Sequence, residues 1–178
     1  MLPFDPLPRA VLNPGHNPTC LTTTREKTEL LEQWGLDVLV ILPFTLELAQ
    51  TSARGFVQTL CQHLRMAELW VGWDFALGRG REGTVPALKE LGEAMGFRVH
   101  VVEPVRDGGT VVSSTAIRRL LNEGKVRKAA KMLGRYYPLE TCTAAKAAPG
   151  RAAGFAMASL DIIGGCVLPA NGVYAVYA

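Results

Sequence analysis

Apolar and polar positions change their period repeatedly along this chain. Thr23-Thr24-Arg25-Glu26 reads as a capping box, with Thr23 at the N-cap and Glu26 three residues on. It predicts a helix to about Trp34, stopped by Gly35. Val38-Leu39-Val40-Ile41-Leu42 is continuous and β-branched, the pattern of a strand buried on both faces. Ser52 opens a second helix whose apolar side carries Phe56, Leu60 and Leu64. Leu69-Trp70-Val71-Gly72 predicts a second buried strand, followed by a Gly- and Arg-rich loop from Gly78 to Gly83. Leu88, Leu91 and Met95 mark a third helix ended by Gly96, and Phe97, Val99 and Val101 alternate as a third strand. After the turn Asp107-Gly108-Gly109, a β-branched run leads into Ser113-Ser114-Thr115 and a further helical pattern. One more helix, about Val126 to Leu133, follows Gly124.

Strand and helix thus alternate from Thr23 to about Leu121, which argues for an α/β fold with a parallel sheet and helices on both faces. Ligands in such folds bind beyond the carboxyl ends of the strands. The loops after Leu42 and Gly72 and the Ser-Ser-Thr turn are expected on that edge. The composition shifts after Leu139: residues 144 to 153 read as an Ala- and Gly-rich linker. Beyond it, Phe155 to Leu160, Val167-Leu168, a Pro169-Ala170-Asn171-Gly172 turn and an alternating Val173 to Tyr177 predict an all-β tail. About two strands are too few to fold alone.

Composition narrows the function classes. Hydrophobic residues at 48% and charged residues at 20% describe an ordinary soluble domain. The net charge of +3 and the lack of like-charge blocks give no reason to expect a nucleic-acid partner. The longest apolar run, Val38 to Phe44, is far short of the ~20 residues of a spanning helix, so no membrane partner is expected. Cys20, Cys61, Cys142 and Cys166 form no C-x-x-C pair and read as reduced thiols of a cytoplasmic protein.

Two stretches carry candidate chemistry. Ser113 or Ser114 suits an N-cap, and Arg118 lies one turn further along. Hydroxyls, first-turn N–H groups and the positive helix end make an anion site there, with Arg118 adding a charge-assisted contact to phosphate. The same residues also fit a plain capped helix with a solvated arginine. In the loop from Val71 to Gly83, Asp74 can hydrogen-bond a ring, Trp73 and Phe75 can stack on a planar ligand, and Arg79 and Arg81 can meet phosphate. A surface loop with a buried aromatic is the alternative. His16, in a turn-rich run, reads as a solvated loop residue, while His63 and His100 read as structural or exposed. No metal-ligand cluster is expected, and the serines lack the G-x-S-x-G setting of a hydrolase nucleophile.

Phe4-Asp5-Pro6-Leu7-Pro8, Cys20-Leu21-Thr22-Thr23, Leu42-Pro43-Phe44-Thr45, Gly72-Trp73-Asp74-Phe75 with Gly78-Arg79-Gly80-Arg81, and Ser113-Ser114-Thr115-Ala116-Ile117-Arg118 occur in one order. In that order they resemble bacterial FAD synthetase, the bifunctional riboflavin kinase/FMN adenylyltransferase. The resemblance implies a Rossmann-like nucleotidyltransferase domain that joins FMN to the AMP part of ATP with Mg²⁺ and releases pyrophosphate. It implies that Ser113, Ser114, Thr115 and Ile117 serve ATP, that Arg118 is catalytic, and that Asp74 and Phe75 lie at the flavin. Positioning and charge stabilisation then carry the rate.

Departures from the family's pattern shape the expectation. The family's G-x-F-D-G-x-H-x-G-H motif is not in these 178 residues, and Leu7 stands where the family has histidine. Gly154-Phe155-Ala156-Met157-Ala158-Ser159-Leu160 resembles the kinase half's Gly-Phe-Pro-Thr-Ala-Asn-Leu, with its metal and nucleotide ligands replaced by Met157 and Ser159. The resemblance divides the chain into an FMN adenylyltransferase-like part, residues 1–139, and a linker with the start of a kinase-like β-barrel, residues 140–178. The expected function is FAD synthesis, impaired in an incomplete chain. A non-catalytic nucleotide- or flavin-binding remnant is the alternative.

Overall fold

The computed structural model describes residues 1–13, 15, 19–143, 150–152, 155–157 and 159–177. His16 and residues 144–149 and 153 of the expected linker lie outside them. The chain divides into two units, Met1–Asn17 with Val40–Val111, and Pro18–Leu39 with Val112–Ala178.

In the first unit, strands Glu68–Gly72 and Arg98–Val102 pair in parallel, with Val71 opposite Val101. The helix Val85–Met95 makes the crossover between them. This is the βαβ unit that the changing period predicts, with Gly96 as the helix cap. Val57, Leu88 and Phe97 form the buried core, with Leu69 and Val99 packed against it. The expectation of a strand buried on both faces fails for Leu69–Gly72, because Trp70 is 64% exposed. Side chains alternate across a strand, so Glu68, Trp70, Arg98 and His100 share the outer face. There the Trp70 ring stacks on His100 at 4.3 Å and 13°, and Trp70 Nε1 donates to Glu68 at 3.1 Å.

Val38 to Leu42 also departs from expectation. It forms no named strand, and Val38 and Ile41 are exposed. One parallel bridge joins Leu42 to Phe4. Around it, Val40 N–H donates to Met1, Leu42 N–H to Pro3 and Asp5 N–H to Leu42, all at 2.9–3.0 Å. The partner segment carries Pro3 and Pro6, which have no N–H to extend a ladder.

Helix Ala53–Leu64 begins at Ser52, whose Oγ accepts from Gly55 N–H at 3.1 Å. Its buried face is Ala53, Val57 and Leu60. The predicted stripe of Phe56, Leu60 and Leu64 is displaced: Leu64 is exposed, and Phe56 instead meets Phe4 at 6.4 Å. The Gly-rich loop is tighter than an open loop. Ala76–Leu77 pairs antiparallel with Gly83–Thr84 around the short 3₁₀ turn Arg79–Arg81. A Cβ on Gly78 would stand 2.5 Å from Ala53 N, and its φ of +78° also favours glycine. Arg79 N–H donates to Thr51 at 2.9 Å. Glu82 Oε1 accepts from Ala53 N–H at 2.8 Å.

In the second unit the capping box forms as predicted. Thr23 Oγ1 accepts from Glu26 N–H at 3.1 Å, and Glu26 Oε2 accepts from Thr23 N–H at 2.7 Å. The helix it starts is Thr24–Gln33. Helices Ser114–Asn122 and Val126–Leu133 enclose Ile117, Leu120, Leu121 and Ala129, and Val167 completes that core. Val167 N–H donates to Cys20 at 3.0 Å, and its carbonyl accepts from Tyr137 Oη at 2.8 Å.

The all-β character of the tail holds, with a different layout. Thr141–Thr143 pairs antiparallel with Leu160–Ile162, and Gly150–Ala152 with Phe155–Met157. The expected strand Val173 to Tyr177 does not form. Its alternating side chains have no strand partner among the described residues, and Val173, Val176 and Tyr177 are exposed. No helix among the described residues is long and apolar enough to cross a membrane.

Candidate functional site

The Ser-Ser-Thr turn belongs to the second unit. Ser113 is the N-cap of helix Ser114–Asn122, with extended backbone at φ −148° and ψ 155°. Its Oγ accepts from Ala116 N–H at 3.2 Å, and its carbonyl accepts from Ile117 N–H at 3.0 Å. Ser114 and Thr115 are exposed. Their N–H groups lie in the first turn, where no intrahelical acceptor exists. Ile117 is only 5% exposed and sits in the core, so its side chain anchors the helix rather than facing solvent. Arg118 is not simply solvated: its Nε–H donates to the carbonyl of Thr19 at 2.9 Å. A guanidinium has further donors on its two terminal nitrogens.

Charge distinguishes this helix start from the other hydroxyl-capped ones. Glu26 lies in the first turn after Thr23, and Glu47 in the first turn after Thr45. At Ser52 the carboxylate of Glu82 binds the first helical N–H, on Ala53. After Ser113 the first turn holds no acidic residue. The positive end of that helix therefore lacks a counter-charge of its own in that turn.

Asp74 and Phe75 belong to the first unit. They follow strand Glu68–Gly72 in a turn closed by Phe75 N–H donating to Gly72 at 3.1 Å. Arg81 Nη2 donates to the Asp74 carbonyl at 3.2 Å, which ties the far side of the loop to the turn. Trp73, Asp74 and Phe75 are exposed. The arrangement offers a carboxylate and two aromatic faces beside a held backbone. Among the described residues, no group of three or more His, Cys, Asp or Glu stands together to hold a metal ion.

Three contacts at these stretches escape sequence reasoning: Thr19 to Arg118, Glu82 to Ala53, and Arg81 to Asp74. The first two join residues 99 and 29 positions apart. No local periodicity reports such contacts.

A family model described as FAD synthetase matches residues 1–116. The bifunctional riboflavin kinase/FMN adenylyltransferase of Escherichia coli (strain K12) is 33% identical over 174 residues, covering 97% of this chain and 55% of that protein. The protein of the same description from Listeria monocytogenes is 29% identical over 177 residues, covering 99% and 56%. A crystal structure of a protein described as a macrolide-efflux protein, from Streptococcus pneumoniae, matches with a TM-score of 0.87 at 28% identity, covering 97% of this chain and 56% of that one. The chain spans about half the length of the curated relatives it matches. With the parallel βαβ unit, the capped Ser-Ser-Thr helix and the Asp-Phe turn in place, the family match makes this chain a member of the FAD synthetase family.

Proposed function

We propose that this chain carries the FMN adenylyltransferase chemistry of its family, transferring AMP from ATP to FMN to give FAD and pyrophosphate. In this reading Ser113, Ser114, Thr115 and Arg118 hold ATP phosphates, Ile117 anchors that turn, and Asp74 and Phe75 meet the flavin. The observation that carries the reading is the start of helix Ser114–Asn122. It combines a hydroxyl cap, first-turn donors, an arginine and a first turn without an acidic residue. Such a helix end favours phosphate, and a guanidinium adds charge-assisted bonds. Thr19 holds the Arg118 Nε–H and so orients the head group before a ligand arrives. A donor fixed in advance stabilises developing charge without reorganising. Mg²⁺ enters this reading only as the ion that accompanies ATP. The described residues provide no acidic cluster to bind it.

Residues 1–139 form the adenylyltransferase-like part in this proposal, and 140–178 the linker and the start of the kinase-like barrel, in a cytoplasmic protein. Turnover by these 178 residues is weak or absent, because the family's histidine motif is not among them. The same observation favours the second reading, a nucleotide- and flavin-binding remnant without catalysis. Incubation with FMN, ATP and Mg²⁺, followed by chromatographic detection of FAD, separates the two. Slow FAD formation that Arg118→Ala abolishes supports the first. Quenching of flavin fluorescence without any FAD supports the second. FAD formation at a normal enzymatic rate contradicts the impairment, and an unchanged flavin signal with no ATP binding contradicts both.

A further inference from the structure

The second unit contains a thiol pair that adenylyl transfer does not use. Cys20 and Cys166 are 146 positions apart, yet their Sγ atoms lie 2.9 Å from each other. Their backbones form an isolated parallel bridge. Neighbouring strands run about 4.8 Å apart, within the span of about 4.4–6.8 Å between Cα atoms that a disulfide requires. Both residues are free cysteines and neither is fully buried.

Two hydrogen bonds hold the pair in register. Val167 N–H donates to the Cys20 carbonyl at 3.0 Å. Cys20 Sγ also lies 3.4 Å from the Gly164 carbonyl and donates to it. Gly164 has a φ of +88°, and a Cβ there would stand 2.5 Å from Thr23 Cγ2. Only glycine lets the 164–166 turn press this closely on the N-cap of helix Thr24–Gln33.

We propose that Cys20 and Cys166 form a reversible dithiol–disulfide couple, oxidised by a low-molecular-weight disulfide such as oxidised glutathione. The Cys20 thiolate attacks one sulfur of the oxidant, forming a mixed disulfide and releasing one glutathione thiolate. Cys166 then attacks the Cys20 sulfur, loses its proton to the released thiolate and expels the second glutathione. The second glutathione leaves as a thiolate and takes up from solvent the proton that Cys20 released on ionising, so the protein loses two protons and two electrons and the oxidant becomes two glutathione thiols. Burial first, and then the hydrogen bond with Cys20, push the Cys166 thiol up to about 12. Cys166 therefore stays protonated near neutral pH. The bond formed would lock Cys20 next to Thr19, whose carbonyl holds Arg118.

The test is intact-protein mass measurement after equilibration in glutathione buffers of graded oxidation, with residual thiols alkylated and the product mapped by digestion. Loss of two hydrogen masses, a Cys20–Cys166 cross-linked peptide, a rise of several degrees in Tm and full reversal by dithiothreitol are expected. Cys20→Ser and Cys166→Ser should each abolish the loss, and the Cys61→Ser/Cys142→Ser double variant should retain it. An unchanged mass in that double variant, glutathione adducts without a cross-link, or a cross-link to Cys61 or Cys142 would overturn the proposal.

Discussion

Ser113→Asp separates the cap that Ser113 forms from the phosphate role proposed for it. The wild-type Oγ accepts from Ala116 N–H at 3.2 Å and starts a helix whose Ile117, Leu120 and Leu121 are buried. Ser113→Ala removes that cap and is predicted to cost about 1 kcal/mol, or about 2–4 °C in Tm for a chain of this size. Aspartate caps as well as serine, and its charge at the helix start adds about 0.3–1 kcal/mol. Ser113→Asp should therefore melt at or slightly above the wild-type temperature. The same carboxylate would occupy the place proposed for an ATP phosphate and repel it. Loss of one charge-assisted hydrogen bond of about 1.5–3 kcal/mol lowers ATP affinity roughly 10- to 150-fold. Thermal melting reads the first effect, and calorimetric titration with ATP reads the second. If Ser113→Asp binds ATP as the wild type does, the phosphate role is wrong and Ser113 is a cap only. If it melts well below wild type, the capping geometry is wrong.

Other consequences are measurable on stability alone. Leu121 has no exposed surface and packs with Ile117, Leu120, Ala129 and Val167. Leu121→Ala should cost about 2–5 kcal/mol in urea unfolding, and a negligible cost would refute that core. Gly78→Ala places a Cβ 2.5 Å from Ala53 N at a φ of +78°. It should destabilise by about 1–3 kcal/mol, whereas a neutral result would contradict the close hairpin–helix contact. Cys166 is raised from 9.0 to about 12, and burial raises Tyr137 as well. A raised acid keeps its proton in the folded state after the unfolded chain has lost it. Its stabilising effect is thus complete below pH 9 and is lost as pH climbs from there through about 12. Tm should fall across that window, and Cys166→Ser should flatten the fall. An equal slope in that variant would remove Cys166 as a cause.

Elements with strong local chemistry were readable in the sequence. The Thr23–Glu26 capping box, the Ser52 and Ser113 caps and the Gly96 stop all form, because each depends on residues within one helical turn. Burial was less readable, since it depends on what covers a face. Trp70 and Val38 have strand-like, apolar neighbours in sequence, and both are exposed. The apolar stripe of helix Ala53–Leu64 turned toward Val57 because Leu88, 31 positions on, lies on that side. Val173 to Tyr177 has the alternation of a strand, but alternation supplies no partner. Residue types at the candidate site were legible from an ordered series of motifs. The tether from Thr19 to Arg118 was not, because it joins distant parts of the chain.

The carboxylate of Glu82 on Ala53 N–H has a consequence for competition between anions. Every free helix start on a nucleotide-binding surface is a place where a phosphate can settle in the wrong register. A resident carboxylate fills one such place from within the chain, so a dissolved anion must displace it to bind there. Glu26 does the same at Thr23. By this self-occupancy the helix starts at Thr23 and Ser52 are closed to an incoming anion, which narrows the places left for the phosphate of the proposed ATP site.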